Sequence, residues 1–344
     1  MDAPGKTPPE RASGRNERRP RPRGAAAPVA VSPDHVAQIT VGEDGAGQRL
    51  DNYLLKLAKG VPKSHVYRIV RSGEVRVNRA RATIGQRLAP GDVVRIPPLR
   101  IAAAAGAARP VPLAELPPVL FEDEHLLVVD KPAGLAAHGG SGIAFGLIER
   151  LRASRPELPF LELAHRLDRE TSGVLLLAKS RRALVRLHAQ LRDGLVDKRY
   201  LALVIGDWVN DRQHVKAPLT KYLTKTGERR VSVDPEGMPS HTIITLRERL
   251  GAFSLLEAQL MSGRTHQIRV HLAHLGFPIV GDDKYGDFAL NRRIAKGEFG
   301  VKSGRMFLHA LRIALAHPVS GDALVLEAPL PGDCEDLLRA LRHG

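Results

Sequence analysis

Three short stretches of the chain gather polar side chains that a hydrophobic core does not account for: HRLDRETSG (His165 to Gly173), DKRYLAL around Tyr200, and SGRTHQIRVHLAHLG (Ser262 to Gly276). In the first, Asp168 stands between Arg166 and Arg169, and a carboxylate beside a guanidinium stays ionised at neutral pH. An ionised aspartate can act as a nucleophile or stabilise a carbon that becomes positive. Read alone, the same residues also fit a solvated turn. Tyr200 opens an apolar run and could offer its ring to a base from a sheet edge, although a single tyrosine also fits a core position. In the third stretch Arg264, His266, Gln267 and Arg269 crowd the first half of a predicted helix whose apolar face is Ile268, Leu272 and Leu275. Its arginines are a source of positive charge for the aspartate. The three histidines there lack an H-E-x-x-H pair and cysteine partners, so no metal is expected. A fourth stretch, DKPAGLAAHGGSG (Asp130 to Gly142), is glycine-rich but has no Gly-Lys-Ser/Thr ending, and it reads as a tight loop rather than a triphosphate cradle.

The elements that must position these groups are strands with inserted helices. VLF and LLVV flank the turn EDEH and predict a hairpin, and further strands are expected at GVLLLA, RYLALVIG, HTIITL, SLLEAQL and ALRIALA. Ser180 is placed to cap a helix carrying Leu184, Leu187 and Leu191, with Gly194 as its stop. This pattern predicts an α+β domain on a mixed, largely antiparallel sheet with flanking helices.

In front of that domain lies a smaller module. Leu50, Tyr53, Leu54 and Leu57 share one helical face, Pro62 breaks the helix, and Ser64 is placed to cap a second one bearing Val66, Ile69 and Val70. The strand EVRVN and the segment GDVVRIPP complete it. Its cations recur across two helices and a turn, which favours RNA binding over a merely solvated face. Residues 1–38 read as a disordered basic arm, 39–98 as this module, 99–117 as an Ala/Pro-rich linker and 118–344 as the larger domain.

Composition points the same way. The 344 residues carry a formal charge of +15, so a polyanion is the expected partner. No apolar run approaches the roughly 18 residues of a spanning helix, and the Pro/Arg-rich N-terminus has no signal-peptide core. The lone cysteine, Cys334, cannot form an intramolecular disulfide. A cytoplasmic protein without a membrane partner is expected.

The front segment, QRLDNYLLKL through GDVVRI, resembles the S4 RNA-binding domain. HRLDRETSG, KRYLALV and GRTHQIRVH, in that order behind DKPAG, resemble the branch of the pseudouridine synthases that acts on 23S ribosomal RNA. The resemblance runs from about Gln38 to the C-terminus. It implies that Asp168 is the essential aspartate, that Tyr200 packs on the target uracil and that Arg269 pairs with the carboxylate. Arg166, Arg264, His266 and Leu308 are then expected to contact substrate, Leu308 as the apolar contact under the base. Glu170 stands where many relatives carry aspartate and keeps the charge. Arg49, Lys63, Ser64, Arg68, Arg71, Arg76 and Arg81 are expected to hold RNA. The implied reaction cuts the C1'–N1 bond of uridine, turns the uracil and joins C5 to C1', with Asp168 either attacking C1' or taking a ribose proton to give a glycal. No cofactor or metal is implied. The partner is 23S ribosomal RNA or a large-subunit assembly particle, met by a monomer.

A rival of a different class is a noncatalytic RNA-binding or ribosome-assembly factor, which leaves Asp168, Tyr200 and Arg269 without a task. Hydrolysis of a nucleoside would need a water-activating carboxylate, and Glu162 is near in sequence but stands in no motif.

Overall fold

The computed structural model describes residues 34–42, 45–58, 61–99, 115–139 and 144–343. Most of the expected arm and linker therefore lies outside the described residues. The described residues divide into two compact units, those within 34–40, 49–87 and 92–99 in one and those within 41–48, 88–91 and 115–343 in the other.

The first unit contains β1 (Ala37–Thr40), α1 (Leu50–Leu57), α2 (Lys63–Arg71), β2 (Arg76–Val77), β3 (Ala80–Arg81) and β4 (Val93–Ile96). The strands form an antiparallel sheet in the order β1-β4-β2-β3. Leu50 and Leu54 of α1 and Val66, Ile69 and Val70 of α2 are buried. Two details differ from expectation. Ser64 does not cap α2: the helix starts at Lys63 behind Pro62, and the Pro62 carbonyl accepts from the amides of His65 and Val66. The EVRVN strand shrinks to two residues because Asn78 and Arg79 both adopt positive φ, 51° and 67°, and turn a tight hairpin. Asn78 fixes that turn by accepting from Val93 N and donating to Asp92, both at 2.8 Å.

The second unit begins with the expected hairpin, β5 (Val119–Glu122) and β6 (Leu126–Lys131). Asp123 makes its turn, accepting from the amides of His125 and Leu126 at 2.7 Å. Then come α3 (Leu147–Ser154), β7 (Glu162–Leu163), β8 (Ser172–Ala178), α4 (Arg181–Arg192), β9 (Asp197–Ile205), β10 (Arg212–Val215), β11 (Leu219–Leu223), β12 (Arg229–Val233), β13 (Thr242–Leu250), β14 (Phe253–Leu260), α5 (Gln267–His274), α6 (Phe288–Lys296), β15 (Leu308–Ala316), β16 (Ala323–Glu327) and α7 (Gly332–His343). Ser180 caps α4 by accepting from Ala183 N.

Ten strands form one sheet in the order β10-β13-β14-β9-β15-β8-β6-β5, with β16 on β15 and β7 on β8, while β11 and β12 form a separate ribbon. The large sheet is mixed and largely antiparallel, its parallel joint lying between β8 and β15. At that joint Gly173 has φ 107°, and a Cβ there would lie 2.3 Å from Ala310 O. The glycine that ends HRLDRETSG thus lets two backbones meet.

Every residue of β8 is buried. Leu175 and Leu177 face a core shared with Leu147 and Leu151 of α3 and Ile268 and Leu272 of α5, whereas Val174 and Leu176 face one shared with Leu184 and Leu187 of α4. Helices cover both faces, so β8 reads as an unbroken apolar run rather than an alternating one. Each such buried side chain contributes about 1.5–3 kcal/mol, which makes β8 a firm base for the loop that precedes it.

Candidate active site

The loop before β8 is pinned from two sides. The ring of His165 is half-buried, and its Nε2 accepts from Leu176 N at 3.1 Å. Burial pushes its pKa down to about 4, so the ring is a neutral strut. Lys131, fully buried at the end of β6, donates to the carbonyls of Pro132 and Leu135 at 2.8 Å and of Arg169 at 3.1 Å. Three carbonyls match the three donors of an ammonium, and they tie the DKPAG loop to the residue after Asp168.

Leu167 enters the core while Arg166 and Arg169 stay exposed. The guanidinium beside Asp168 is therefore neither of the sequence neighbours that HRLDRETSG read alone suggests. Arg169 pairs with Glu170, and Arg166 lines a cavity. The cation comes instead from α5: Arg269 Nη1 lies 3.7 Å from Asp168 Oδ2.

Arg269 is itself buried. Its Nε and Nη2 donate to the two oxygens of Asp282 at 2.7 Å each, and Nη2 reaches Asp283 at 3.1 Å. Burial alone would depress its pKa, but the hydrogen bonds and charge of Asp282, with Asp168 and Asp283, hold the guanidinium above its ordinary value. Asp282 in turn accepts from the amides of Lys284 and Tyr285 at 2.8 and 2.9 Å, and the Tyr285 ring lies under the guanidinium, 5.2 Å from its carbon.

The helix carrying Arg269 is shorter than its apolar spacing predicts. It starts at Gln267 because His266 takes a left-handed conformation, φ 54°. Arg264 and His266 thus lie in the turn before α5 rather than on the helix. His266 Nδ1 meets the Tyr285 hydroxyl at 2.9 Å, and its Nε2 lies 3.7 Å from Asp168 Oδ2. Arg264 donates from Nε to Pro239 O at 3.2 Å.

Tyr200 lies on β9 between β14 and β15, in the interior of the sheet and not at its edge. Burial, reinforced by the charge of Asp168, raises its hydroxyl far above the ordinary tyrosine value. Lys198, two residues earlier on the same face, is shifted the other way: burial lowers its pKa.

These groups surround one cavity of about 570 Å³, lined among others by Asp168, Tyr200, Arg269, Arg166, Arg264, His266 and Leu308. The structure brings together all seven residues expected to serve chemistry or substrate contact. Lys198, Thr171 and Gln267 line it as well, and sequence reasoning gave Lys198 and Thr171 no role. It also missed Asp282 and Tyr285, although VGDDKYG (Val280 to Gly286) pairs two acids with a tyrosine between glycines.

In the first unit Arg49, Lys63, Ser64, Arg68, Arg71, Arg76 and Arg81 are all exposed. Arg49 is engaged by Asp51 at 3.1 and 2.9 Å, and Arg81 donates to Arg71 O at 2.6 Å. Lys63 lies 5.4 Å from the centre of the Tyr67 ring. Among the described residues no helix is long and apolar enough to cross a membrane, and no group of three or more His, Cys, Asp or Glu is placed to hold a metal ion.

The sequence profile described as RNA pseudouridylate synthase matches residues 125–274, and that of the S4 domain matches residues 48–94. The chain is 50% identical over 313 residues to ribosomal large subunit pseudouridine synthase C of Yersinia pestis, covering 89% of this chain and 96% of that one. The chain belongs to the RNA pseudouridylate synthase family. The proteins of the same name from Pasteurella multocida and Escherichia coli K12 are 49% and 48% identical, over 90% and 89% of this chain and 94% and 96% of theirs. Among solved structures, human RNA pseudouridylate synthase domain containing 4 superimposes with a TM-score of 0.53 at 26% identity, over 65% of this chain and 92% of that one. Its human counterpart, domain containing 1, gives 0.52 at 25% identity, over 69% and 98%. The synthase profile takes in Asp168, Tyr200, Arg264, His266 and Arg269 and ends before Asp282, Tyr285 and Leu308.

Proposed function

We propose that the protein isomerises particular uridines of 23S ribosomal RNA to pseudouridine, with Asp168 as the reacting carboxylate. The observation that carries this reading is the placement of a partly exposed Asp168 in one cavity with a buried arginine and an aromatic ring. The names of the bacterial relatives supply the RNA class.

The chemistry follows from the groups. As the C1'–N1 bond breaks, positive charge grows on the sugar, and the carboxylate of Asp168, with Arg269 at its Oδ2, stabilises it there. Asp168 acts on the ribose, at C1' or on a ribose proton. The ring of Tyr200 and the side chain of Leu308 keep the detached uracil in place while it turns. A uridine reaches such a cavity only by leaving its stack, at a cost of a few kcal/mol. Arg166 and Arg264, exposed at the cavity, are placed for the flanking phosphates. The bonds rearrange within one nucleoside without net oxidation, so the reaction calls for no redox cofactor.

The cations of the S4 domain supply further phosphate contacts. A factor that only bound RNA would have no use for a buried arginine strung between Asp282 and Asp168. A cytoplasmic location suits the single cysteine. The test is the product: after incubation with unmodified 23S RNA, nucleoside analysis should show a nucleoside of uridine's mass that resists glycosidic cleavage. Release of free uracil, or unchanged RNA, would overturn the reading.

A further inference from the structure

Two hydrogen bonds converge on the hydroxyl of Tyr285. Val231 N of β12 donates to it at 2.9 Å, and His266 Nδ1 lies at 2.9 Å on its other side. A tyrosine hydroxyl has one proton to give, and the backbone amide can only donate. Among the described residues Nδ1 is the acceptor that lies in reach of the hydroxyl proton, so the arrangement that gives this proton a partner leaves Nδ1 unprotonated. In the neutral imidazole the proton then resides on Nε2, the nitrogen that faces Asp168 Oδ2 at 3.7 Å. Arg269 Nη1 approaches the same oxygen at the same distance.

We propose that Tyr285 fixes His266 as the Nε2–H tautomer, and that His266 is a positioning residue which, with Arg269, holds Asp168 by Oδ2 so that Oδ1 is presented to the ribose. The inference rests on the role proposed above for Asp168. The separations of 3.7 Å are too long for hydrogen bonds; they close when substrate expels water from the cavity. The groups facing the imidazole are Asp168 from the loop before β8, Arg269 from α5, and Asp282, Lys284 and Tyr285 from the loop after it. Burial lowers the pKa of His266, Asp168 opposes this, and Arg269 and Lys284 reinforce it. Lys284 is itself paired with Glu228.

The backbone offers independent support. His266 is held at φ 54°, a region that residues other than glycine and asparagine enter at a cost. A turn needed only to start α5 would be better served by glycine. Backbone strain of this kind clusters at functional sites.

The test compares three variants in tritium release from C5-labelled 23S RNA. His266→Gly and His266→Asn suit the left-handed turn, but glycine has no donor and the asparagine amide ends where Nδ1 lies. His266→Gln strains the turn but places its amide where Nε2 lies. The expected order is Gln within a few-fold of wild type, and Gly and Asn lower in kcat by roughly ten- to a hundredfold with KM for the RNA unchanged. Wild-type kcat in the Gly or Asn variant, or a Gln variant as slow as Gly, would overturn the proposal. Imidazole nitrogen resonances of histidine-labelled wild type should place the proton on Nε2 and lose that preference in Tyr285→Phe; an Nδ1–H form in wild type would overturn it even without an activity assay. Absence of tritium release by wild type would instead strike the assigned reaction.

Discussion

Arg269 and Asp282 form a bidentate ion pair with both partners buried, while Asp168 takes the remaining nitrogen of the same guanidinium at 3.7 Å. The strong pair is structural, and the loose one faces the cavity. Removing Asp282 would strip the buried guanidinium of its two shortest bonds and leave it only Asp283 and the loosely placed Asp168. Asp282→Ala is expected to lower unfolding free energy by about 3–5 kcal/mol. Urea unfolding checks this, and a drop below about 1 kcal/mol, the range of surface pairs, would contradict it.

Tyr200 is expected to act chiefly through its ring, because burial and Asp168 keep its hydroxyl protonated at neutral pH. Tyr200→Ala should therefore be slower than Tyr200→Phe by roughly ten- to a hundredfold, the worth of about 1–3 kcal/mol of stacking on a base. Single-turnover rates compare the two, and equal rates would remove the ring from the account.

Two histidines with lowered pKa, His165 and the fully buried His309, predict an acid limb of stability. His309 of β15 faces Ser172 of β8 across the parallel joint, with Ser172 Oγ 2.8 Å from Nδ1 and Nε2 3.2 Å from Ala328 O. Burial pushes both His165 and His309 down to about 4. Below about pH 6.5 the unfolded chain binds protons that the native state refuses, so the stability present above that pH is lost as pH falls toward 4. His309→Gln should flatten the dependence of unfolding free energy on pH across this window, and an unchanged slope would contradict the prediction.

Replacing Lys63, Arg68 and Arg71 by glutamine should weaken RNA binding and reduce the slope of log affinity against log salt by about 0.7–0.9 for each phosphate left without its cation. Binding titrations at several salt concentrations measure it. A slope equal to wild type would reject this face as a phosphate clamp.

Arg166, Asp168, Arg264, His266 and Arg269 were legible in the sequence because each lies in a short polar run interrupting an apolar pattern, whereas Leu308 came only with the resemblance. Asp168 precedes the wholly buried β8, and Tyr200 and Arg269 sit in equally marked surroundings. The cap at Ser180 and the hairpin turn at Asp123 were readable for the same local reason. What escaped depends on tertiary pairing. No periodicity shows that Arg269 is held by Asp282, thirteen residues on, or that Lys131 spans to Arg169. Tyr200 sits inside the sheet because β9 is flanked by β14 and β15, which strand spacing alone does not order. The early start predicted for α5 failed at one residue, since apolar periodicity is blind to the positive φ of His266.

The central claim is that one carboxylate, that of Asp168, performs the isomerisation. The direct measurement is tritium release from C5-labelled uridine in 23S RNA under single-turnover conditions, with Asp168→Asn compared to wild type after equal RNA binding has been verified. The account predicts release by wild type and none above background by the amide, which can neither attack the sugar nor take its proton. Release by Asp168→Asn at a rate near wild type would contradict it.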